Sequence, residues 1–237
     1  MSHFVLKHFG LVLVGLLAAC ASEPAKPNTQ QPLEQARPEL TRMVERLRPV
    51  LEEAKTVRQF AQPVKTATKL VFGGSDSNAA IIDVRQVDAA WKVGDLARFP
   101  FYDVNLGAAL GLLHADAPKG LSSEQAASYV AIIGSTVQQA KHLRYVVAVR
   151  EESYEPPTLA GGLSFSPGKY VITALVYDLE GPKLLGGYSS TSFISTTQIS
   201  AAPGTTRDNE KMLEEVLYRE GKRDLMSLLR QTFEVVD

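Results

Sequence analysis

The chain has 237 residues, of which 45% are hydrophobic and 22% charged, and its formal net charge is −1. This balance is typical of a globular protein, and the near-neutral charge gives no global electrostatic reason to bind nucleic acid. The single cysteine is Cys20, which excludes internal disulfides, thiol nucleophiles and thiolate zinc sites in the rest of the chain.

Residues 1–19 have the organisation of a secretory signal peptide. Lys7 gives a weakly basic start, and residues 9–19 form an unbroken apolar run. A run of about a dozen residues is too short to span a bilayer, which needs about 20, but it suits a signal-peptide core. The small residues Ala18 and Ala19 suit a cleavage site before Cys20.

The stretch Leu17-Ala18-Ala19-Cys20 resembles the lipobox of bacterial lipoproteins. The resemblance implies that the Cys20 thiol receives a diacylglycerol, that the leader is removed, and that the new amine takes a further chain such as palmitate. Two or more chains hold a protein stably to a membrane. In enterobacteria, a residue other than Asp after the cysteine favours the outer membrane, so the resemblance predicts its periplasmic face. A plain secretory signal or an uncleaved helix is the alternative.

Residues 20–38 are predicted to be a lipidated N-terminus followed by a flexible linker. Residues 21–38 contain four prolines and almost nothing apolar, so they cannot bury enough surface to offset the entropy of ordering. A polyproline ligand is the alternative interpretation. We therefore expect one globular domain over residues 39–237, whose stability does not change when residues 21–38 are removed.

Apolar residues recur every three or four positions over residues 39–60, which predicts a helix with a solvated charged side or, alternatively, a partner-binding one. Pro49 removes a backbone donor, so two short helices or a kink are expected. Strands are predicted over residues 66–72 and 79–87. The glycine-containing segment 73–78 between them is interpreted as a turn, with an anion cradle as the alternative.

Residues 88–114 contain the only tryptophan, Trp91, and an aromatic run over residues 98–102. Aromatic side chains beside an arginine either cover the edge of a core, the interpretation favoured here, or stack on a ligand. Gly107 and Gly111 lie four residues apart in an apolar stretch, which predicts a small, closely packed buried helix.

Ser122 and Gln125 form a capping-box pattern at the start of the clearest predicted helix. Gly134 lies inside this helix, where glycine costs about 1 kcal/mol relative to alanine, so close packing is expected there. The predicted apolar face comprises Ala127, Val130, Ala131, Ile133, Val137 and Ala140.

The next segments are predicted to form a sheet. Residues 143–150 alternate, and the more exposed face carries Arg144 and Arg150. Residues 169–179 are apolar on both faces, as in a central strand covered on both sides. Residues 184–194 return antiparallel, with a bulge at their paired glycines.

The hydroxyl-rich residues 189–197 are interpreted as the solvent face of an edge strand, with a glycan-binding surface as the alternative. Residues 207–233 are predicted to be helical, and Gly221 within them predicts a bend or a close approach. Strands interrupted by helices predict the α+β class, as a single domain with a mainly antiparallel or mixed sheet packed by helices.

No catalytic, cofactor-binding or metal-binding residue is assigned from the sequence. His114 and His142 are the two histidines beyond the leader and lack metal-site spacing, so a structural role is favoured for each. Ser166 and Lys169 match the SxxK pattern, but the Pro-Gly between them argues against the helix that this chemistry needs. Cys20 is the one modification site predicted.

The sequence therefore predicts a membrane-anchored envelope lipoprotein that acts as a non-enzymatic interaction or assembly module. The expected partners are the lipid bilayer, through the acylated N-terminus, and an envelope protein, with neither nucleic acid nor a cofactor. The alternative is an envelope hydrolase or glycan-binding lipoprotein that uses the hydroxyl-rich strand and residues 99–102. A deep pocket joining His114 or His142 to an acid and a serine would favour this alternative. A shallow apolar patch would favour the partner interpretation.

Overall fold

The computed structural model describes residues 29–74, 76–87, 101, 103–114, 116–159, 165–194 and 206–236. The predicted signal peptide (residues 1–19), Cys20, Trp91 and residues 195–197 lie outside these ranges. The described α-helices are α1 (Gln30–Thr56), α2 (Val104–His114), α3 (Ser123–His142) and α4 (Thr206–Thr232). The described strands are β1 (Lys69–Val71), β2 (Ala79–Asp83), β3 (Tyr145–Glu155), β4 (Thr158–Leu159), β5 (Phe165–Ser166), β6 (Lys169–Asp178), β7 (Lys183–Ser192) and β8 (Glu234–Val236).

A four-stranded mixed sheet forms the centre of the domain, in the order β2-β3-β6-β7. β2 lies parallel to β3, so that Ala79 pairs with Tyr145. β3, β6 and β7 are antiparallel neighbours, and the predicted bulge lies in β7 opposite Val176 and Tyr177. The small pairs β1-β8 and β4-β5 lie outside this sheet. The α+β class with a mixed sheet packed by helices is confirmed.

Helices cover both faces of the sheet because the apolar residues of its central strands point alternately to the two sides. Val146 and Ala148 of β3 belong to the core cluster that contains the buried residues of α1 and α3. Val147 and Val149 belong to the cluster that contains the leucines of α4. The expectation that β6 is covered on both faces is confirmed in the same way, since Tyr177 and Ile172 lie in opposite clusters.

The predicted boundary between linker and domain at residue 38 is wrong. α1 begins at Gln30, and Leu33 and Ala36 are buried in the core. The apolar spacing of α1 therefore extends further toward the N-terminus than the prolines of this segment suggested. The expected division into two short helices at Pro49 is also wrong, since α1 continues through Pro49 as one helix. Pro38 and Pro49 both lie on its exposed side.

Two glycines in helix interiors have opposite surroundings. A Cβ atom on Gly221 of α4 would lie 2.8 Å from Cδ1 of Tyr170, a residue that is fully buried on the facing strand β6. The predicted close approach at Gly221 is confirmed. A Cβ atom on Gly134 of α3 would meet nothing within 4 Å, so the close packing predicted at that glycine is wrong within the described chain.

Arg150 of β3 forms hydrogen bonds with the end of α1. The alternation of residues 143–150 had placed this arginine on a more exposed face. Its side chain is largely buried, and its Nη1 donates to the carbonyl oxygens of Ala54 at 2.5 Å and Val57 at 2.9 Å. These carbonyls belong to the end of α1, where intrahelical partners run out. Arg144 does lie near the surface and pairs with Asp178.

Candidate functional site

The predicted lipidation site, Cys20, lies outside the described residues. The first described residue, Thr29, is already docked, since it is buried and its hydroxyl donates to the carbonyl oxygen of Pro118 at 3.3 Å. Eight residues, 21–28, therefore separate Cys20 from the docked chain. Even fully extended, a segment of this length spans about 30 Å. Only a short segment therefore separates Cys20 from the folded domain.

An open cleft of about 470 Å³ lies between α1 and α2. This volume is in the range of sites that hold small ligands. Its lining residues are Thr41, Val44, Glu45, Arg48, Pro49, Leu110, Leu113 and His114. A second described cavity, beside β2 and α3, has a volume of about 30 Å³, which is room for about one water molecule.

The polar residues of the cleft come from two elements that are distant in the chain. Thr41, Glu45 and Arg48 lie within about two turns of α1, and His114 is the last residue of α2. All four are exposed, and none of their side chains forms a hydrogen bond or ion pair with another described residue. By contrast, Arg42 on the same helix pairs with Glu39. The cleft therefore presents uncommitted hydrogen-bonding groups beside apolar side chains, the combination typical of a ligand site.

The cleft joins His114 to the acid Glu45 and the hydroxyl of Thr41, but no serine lines it among the described residues. Paired-carboxylate hydrolysis requires two acids at a set separation, and Glu45 is the one carboxylate among the described lining residues. His142 lies elsewhere, exposed at the end of α3. The described lining of the cleft thus offers one imidazole, one carboxylate and one hydroxyl as hydrogen-bonding groups, together with Arg48.

The SxxK match does not form a catalytic helix. Ser166 ends β5 and Lys169 begins β6, and between them Gly168 has a φ of 65°. The Lys169 ammonium group lies 3.9 Å from the Glu155 carboxylate across the strand pair. The prediction that the Pro-Gly dipeptide prevents a helix here is confirmed, and the serine and lysine are not stacked one helical turn apart.

The hydroxyl-rich strand is the edge strand β7 of the main sheet. Ser189 and Thr191 are exposed, whereas Ser192 is buried and its hydroxyl donates to the Asp224 carboxylate of α4 at 2.7 Å. The interpretation as an edge strand is confirmed over its described part. The exposed hydroxyls of Ser189 and Thr191 lie two residues apart on one face of the strand.

The described part of the aromatic run fills the core beneath α4. Phe101 is 3% exposed and stacks on Tyr170, with 6.3 Å between the ring centroids. Tyr218 of α4 meets the Tyr170 ring edge-on at 5.3 Å and stacks on Tyr154 at 5.6 Å. For Phe101, coverage of a core edge is confirmed. Phe99, Pro100 and Tyr102 lie outside the described residues.

A charged cluster borders these aromatic rings. Asp83 is buried and accepts hydrogen bonds from Arg85 Nε at 2.9 Å and Nη2 at 2.6 Å, and Arg85 also lies 3.5 Å from Glu151. Burial raises the pKa of the Tyr170 phenol far above its usual range, and the negative charges of Glu151 and Asp83 raise it further. The phenol therefore stays protonated at neutral pH and cannot act as a base.

α3 presents its uncharged face to solvent. This face consists of the exposed residues Ala127, Ser128, Val130, Ala131, Ile132, Gly134, Ser135 and Gln138. The predicted apolar face of α3 is therefore wrong in part, because Ile133 and Ala140 are buried but Ala127, Val130 and Ala131 are not. The side that packs on the domain instead includes Ala126, Tyr129 and Thr136. The uncharged face is left without a partner within the described chain.

Comparisons with known proteins leave the chain without a family assignment. No protein-family model, curated protein or solved structure matches it. None of the helices in the described part of the chain has the length and apolarity needed to cross a membrane. Within the same ranges, no three His, Cys, Asp or Glu side chains are grouped so that they could hold a metal ion. The structure shows an α+β domain with a mixed sheet. Any function must therefore be inferred from the residues of this chain.

Proposed function

We propose that the protein is a lipoprotein of the bacterial cell envelope, anchored through acyl chains on Cys20, and that its domain is an interaction or assembly module. The proposed location is the periplasmic face of the outer membrane. The observation that carries the proposal is the sequence Leu17-Ala18-Ala19-Cys20 directly after an apolar run of signal-peptide length. The proposed partners are the bilayer and an envelope protein.

The short connection to the domain supports this role. Because α1 begins at Gln30 and Thr29 is already docked, acylation of Cys20 would hold the domain within about 30 Å of the lipid surface. Removal of the leader also deletes Lys7, which leaves 24 basic and 26 acidic residues in the remaining chain. Such a balance gives little general attraction to anionic lipid, so attachment would depend on the acyl chains.

The uncharged face of α3 supports an interaction role. Val130 is 37% exposed and Ile132 is 50% exposed, and they lie on either side of small residues along one helix. A helix of a globular protein normally presents charged side chains to solvent, but the solvent side of α3 has none between Glu124 and Lys141. This face has the shallow, apolar character that favours the partner interpretation over catalysis.

The anchor is tested by metabolic labelling with a palmitate analogue, followed by membrane fractionation. The unaltered chain is expected to carry label and to fractionate with the outer membrane. Cys20→Ala should lose the label and be released or remain unprocessed, whereas the matched control Ala21→Ser should behave like the unaltered chain. If Cys20→Ala keeps both label and location, the anchor is wrong. Ala21→Asp tests the sorting, and is expected to shift the protein toward the inner membrane.

The interaction role is tested by crosslinking in intact cells and mass spectrometry of the captured complex. Crosslinks to an envelope protein, whether a second copy of this chain or a different protein, should map to α3, since its uncharged face is unpartnered within the described chain. Recovery of the chain without any crosslinked protein, at several crosslinker lengths, would contradict a role as an interaction module.

A second candidate is a glycan-binding lipoprotein, which the cleft between α1 and α2 favours. Thr41, Glu45, Arg48 and His114 could exchange hydrogen bonds with sugar hydroxyls while the apolar lining contacts the ring faces. The test is calorimetric titration with N-acetylglucosamine oligomers. If this candidate is right, Arg48→Ala should weaken binding at least about tenfold and the control Arg42→Ala should not. Absence of binding at millimolar oligomer would reject it.

A further inference from the structure

The uncharged face of α3 has a composition that contacts within the described part of the chain do not explain. The segment from Gln125 to Ala140 contains no Asp, Glu, Lys or Arg, although much of its surface is exposed to solvent. The side chains of Val130 and Ile132 border the face, one on each side of Ala131. Scattered exposed apolar residues are ordinary, but several on one helix face mark a contact surface.

Gly134 is a second, separate observation. It lies mid-helix on this face, where glycine costs about 1 kcal/mol relative to alanine. At Gly221 that cost has an internal reason, because the Tyr170 ring occupies the space of a side chain. At Gly134 a Cβ would meet nothing within 4 Å, so no contact inside the described chain calls for glycine. A helix approaching from outside would use that space, since small residues let helix axes come close together.

The charges at the two ends of the face indicate that a second copy of the chain is the partner. Glu124 precedes the uncharged segment and Lys141 follows it, and both are exposed. Neither forms an ion pair with another described residue. Glu124 lies seven residues before Ala131, and Lys141 lies seven residues after Gly134. If a second α3 ran antiparallel with its Gly134 opposite Ala131, each Glu124 would therefore meet the Lys141 of the other copy.

We propose that the uncharged face of α3 is the contact surface of a homodimer, in which the α3 helices of two copies pack antiparallel about a twofold axis between Ala131 and Gly134. Such an interface is self-complementary, as a twofold dimer requires. It brings small residues to the axis, places Val130 and Ile132 along the flanks, and forms two equivalent ion pairs at the ends. The antiparallel arrangement also opposes the helix dipoles favourably.

The dimer is expected to be weak in dilute solution. A helix of 20 residues is about 30 Å long and about 10 Å wide, which gives about 300 Å² per copy. A standard interface has about 800 Å² on each partner. Acylation at Cys20 would confine the copies to one surface and raise their effective concentration, so that a weak contact becomes populated. This last step rests on the proposed function.

Cysteine crosslinking of the full chain in cells tests the dimer. A thiol introduced by Ala131→Cys would lie near the twofold axis, with its counterpart in the other copy offset by about 5 Å along the helix. A thiol introduced by Ser123→Cys would lie about 28 Å from its counterpart. A short bis-maleimide should therefore join two copies of the Ala131→Cys variant but not of the Ser123→Cys variant, and the product should have twice the mass of the chain. The unaltered chain, with Cys20 alone, is the background control.

Each outcome has a meaning. A doubled mass with Ala131→Cys and none with Ser123→Cys supports the antiparallel dimer. Equal crosslinking by both variants overturns the antiparallel arrangement. A product of another mass shows that a different protein occupies the face and overturns the homodimer, and absence of any product overturns the contact. Palmitate labelling of the same samples separates the two proposals, since a labelled but uncrosslinked chain rejects the dimer alone, and an unlabelled but crosslinked chain rejects the anchor alone.

A matched pair of substitutions separates contact from chance proximity. Ile132→Glu, added to Ala131→Cys, should reduce the crosslinked fraction at least about tenfold, because it places an unpaired charge in the interface. Val64→Glu introduces the same charge at an exposed β-branched residue outside α3 and should leave the fraction unchanged. Both positions are exposed, so thermal melting should show that both variants fold. Equal fractions in the two variants would overturn the proposed interface.

Discussion

Leu33 is the most direct test of where the folded domain begins. It lies in the segment that composition assigns to a linker, yet it is fully buried in the first turn of α1. We predict that Leu33→Ala destabilises the domain as strongly as a core substitution does, because the side chain is part of the cluster shared by α1, α2 and α3.

The magnitude follows from burial. Leu→Ala removes about three carbon groups, each contributing about 0.8 kcal/mol when buried, or about 2.4 kcal/mol in total before any cavity is counted. Incomplete collapse around the vacated space adds a cavity contribution, and fully buried leucines have lost about 2.7–5.0 kcal/mol in such substitutions. We therefore expect a loss of about 3 kcal/mol in the free energy of unfolding.

The assay is urea denaturation followed by circular dichroism. Gln35→Ala is the matched control, because Gln35 is exposed on the same turns of α1, and exposed substitutions change stability by less than about 0.5 kcal/mol. Deletion of residues 21–38 should also destabilise the domain, because it removes the buried residues Leu33 and Ala36. This expectation is the reverse of the one drawn from composition. If Leu33→Ala and Gln35→Ala have equal effects, residues 30–38 are a tether and the reasoning fails.

Three further predictions concern the fold. Gly221→Ala should lower the free energy of unfolding by about 1–2 kcal/mol, because its Cβ would press on the buried Tyr170 ring. Gly134→Ala should instead raise the free energy of unfolding by up to about 1 kcal/mol. Urea titration of dilute samples measures both changes. Arg150→Ala should cost about 2–4 kcal/mol in the same assay, since two carbonyls at the end of α1 lose a charged donor. For Asp178, whose carboxylate is partly desolvated, hydrogen bonds from Arg144 and the Glu180 N–H lower its pKa. It therefore stabilises the fold above the ordinary Asp pKa of about 4 and ceases to do so as the pH falls, so Asp178→Asn should flatten melting temperature against pH below about pH 4.

These predictions can fail separately. A stabilised Gly221→Ala would mean that the Tyr170 ring yields, and the approach of α4 to the sheet would not be tight. An Arg150→Ala variant as stable as the unaltered chain would mean that solvent replaces the arginine at the end of α1. A melting curve for Asp178→Asn with the same acid dependence as the unaltered chain would assign the acid sensitivity to other carboxylates.

The fold class could be predicted because its signals are local. Alternation indicated a strand at β3, a continuous apolar run indicated that β6 is covered on both faces, and the capping box predicted at Ser122 and Gln125 is present in the structure. The start of α1 was missed because polar residues and prolines outnumber the two apolar residues Leu33 and Ala36. Whether two apolar side chains are buried depends on what packs against them, which a local pattern does not contain.

The sites depended still more on tertiary structure. In α3, apolar and small residues surround much of the helix, so periodicity alone could not decide whether Ala131 or Ala140 faces the core. The cleft brings Arg48 of α1 beside His114 of α2, residues that no motif connects in sequence. Alternation predicted that Arg150 is exposed because it considers the residues of one strand only. The end of α1 that covers this arginine comes from a distant part of the chain.

The central claim is that Cys20 is lipidated and becomes the first residue of the protein. Mass spectrometry of the N-terminal peptide, purified from native membranes, tests it most directly. The account predicts a peptide that begins at Cys20 and carries the mass of a diacylglycerol and an amide-linked acyl chain. A peptide that begins at Met1, or one with a free thiol at Cys20, would contradict the anchor, the location and the proposed role.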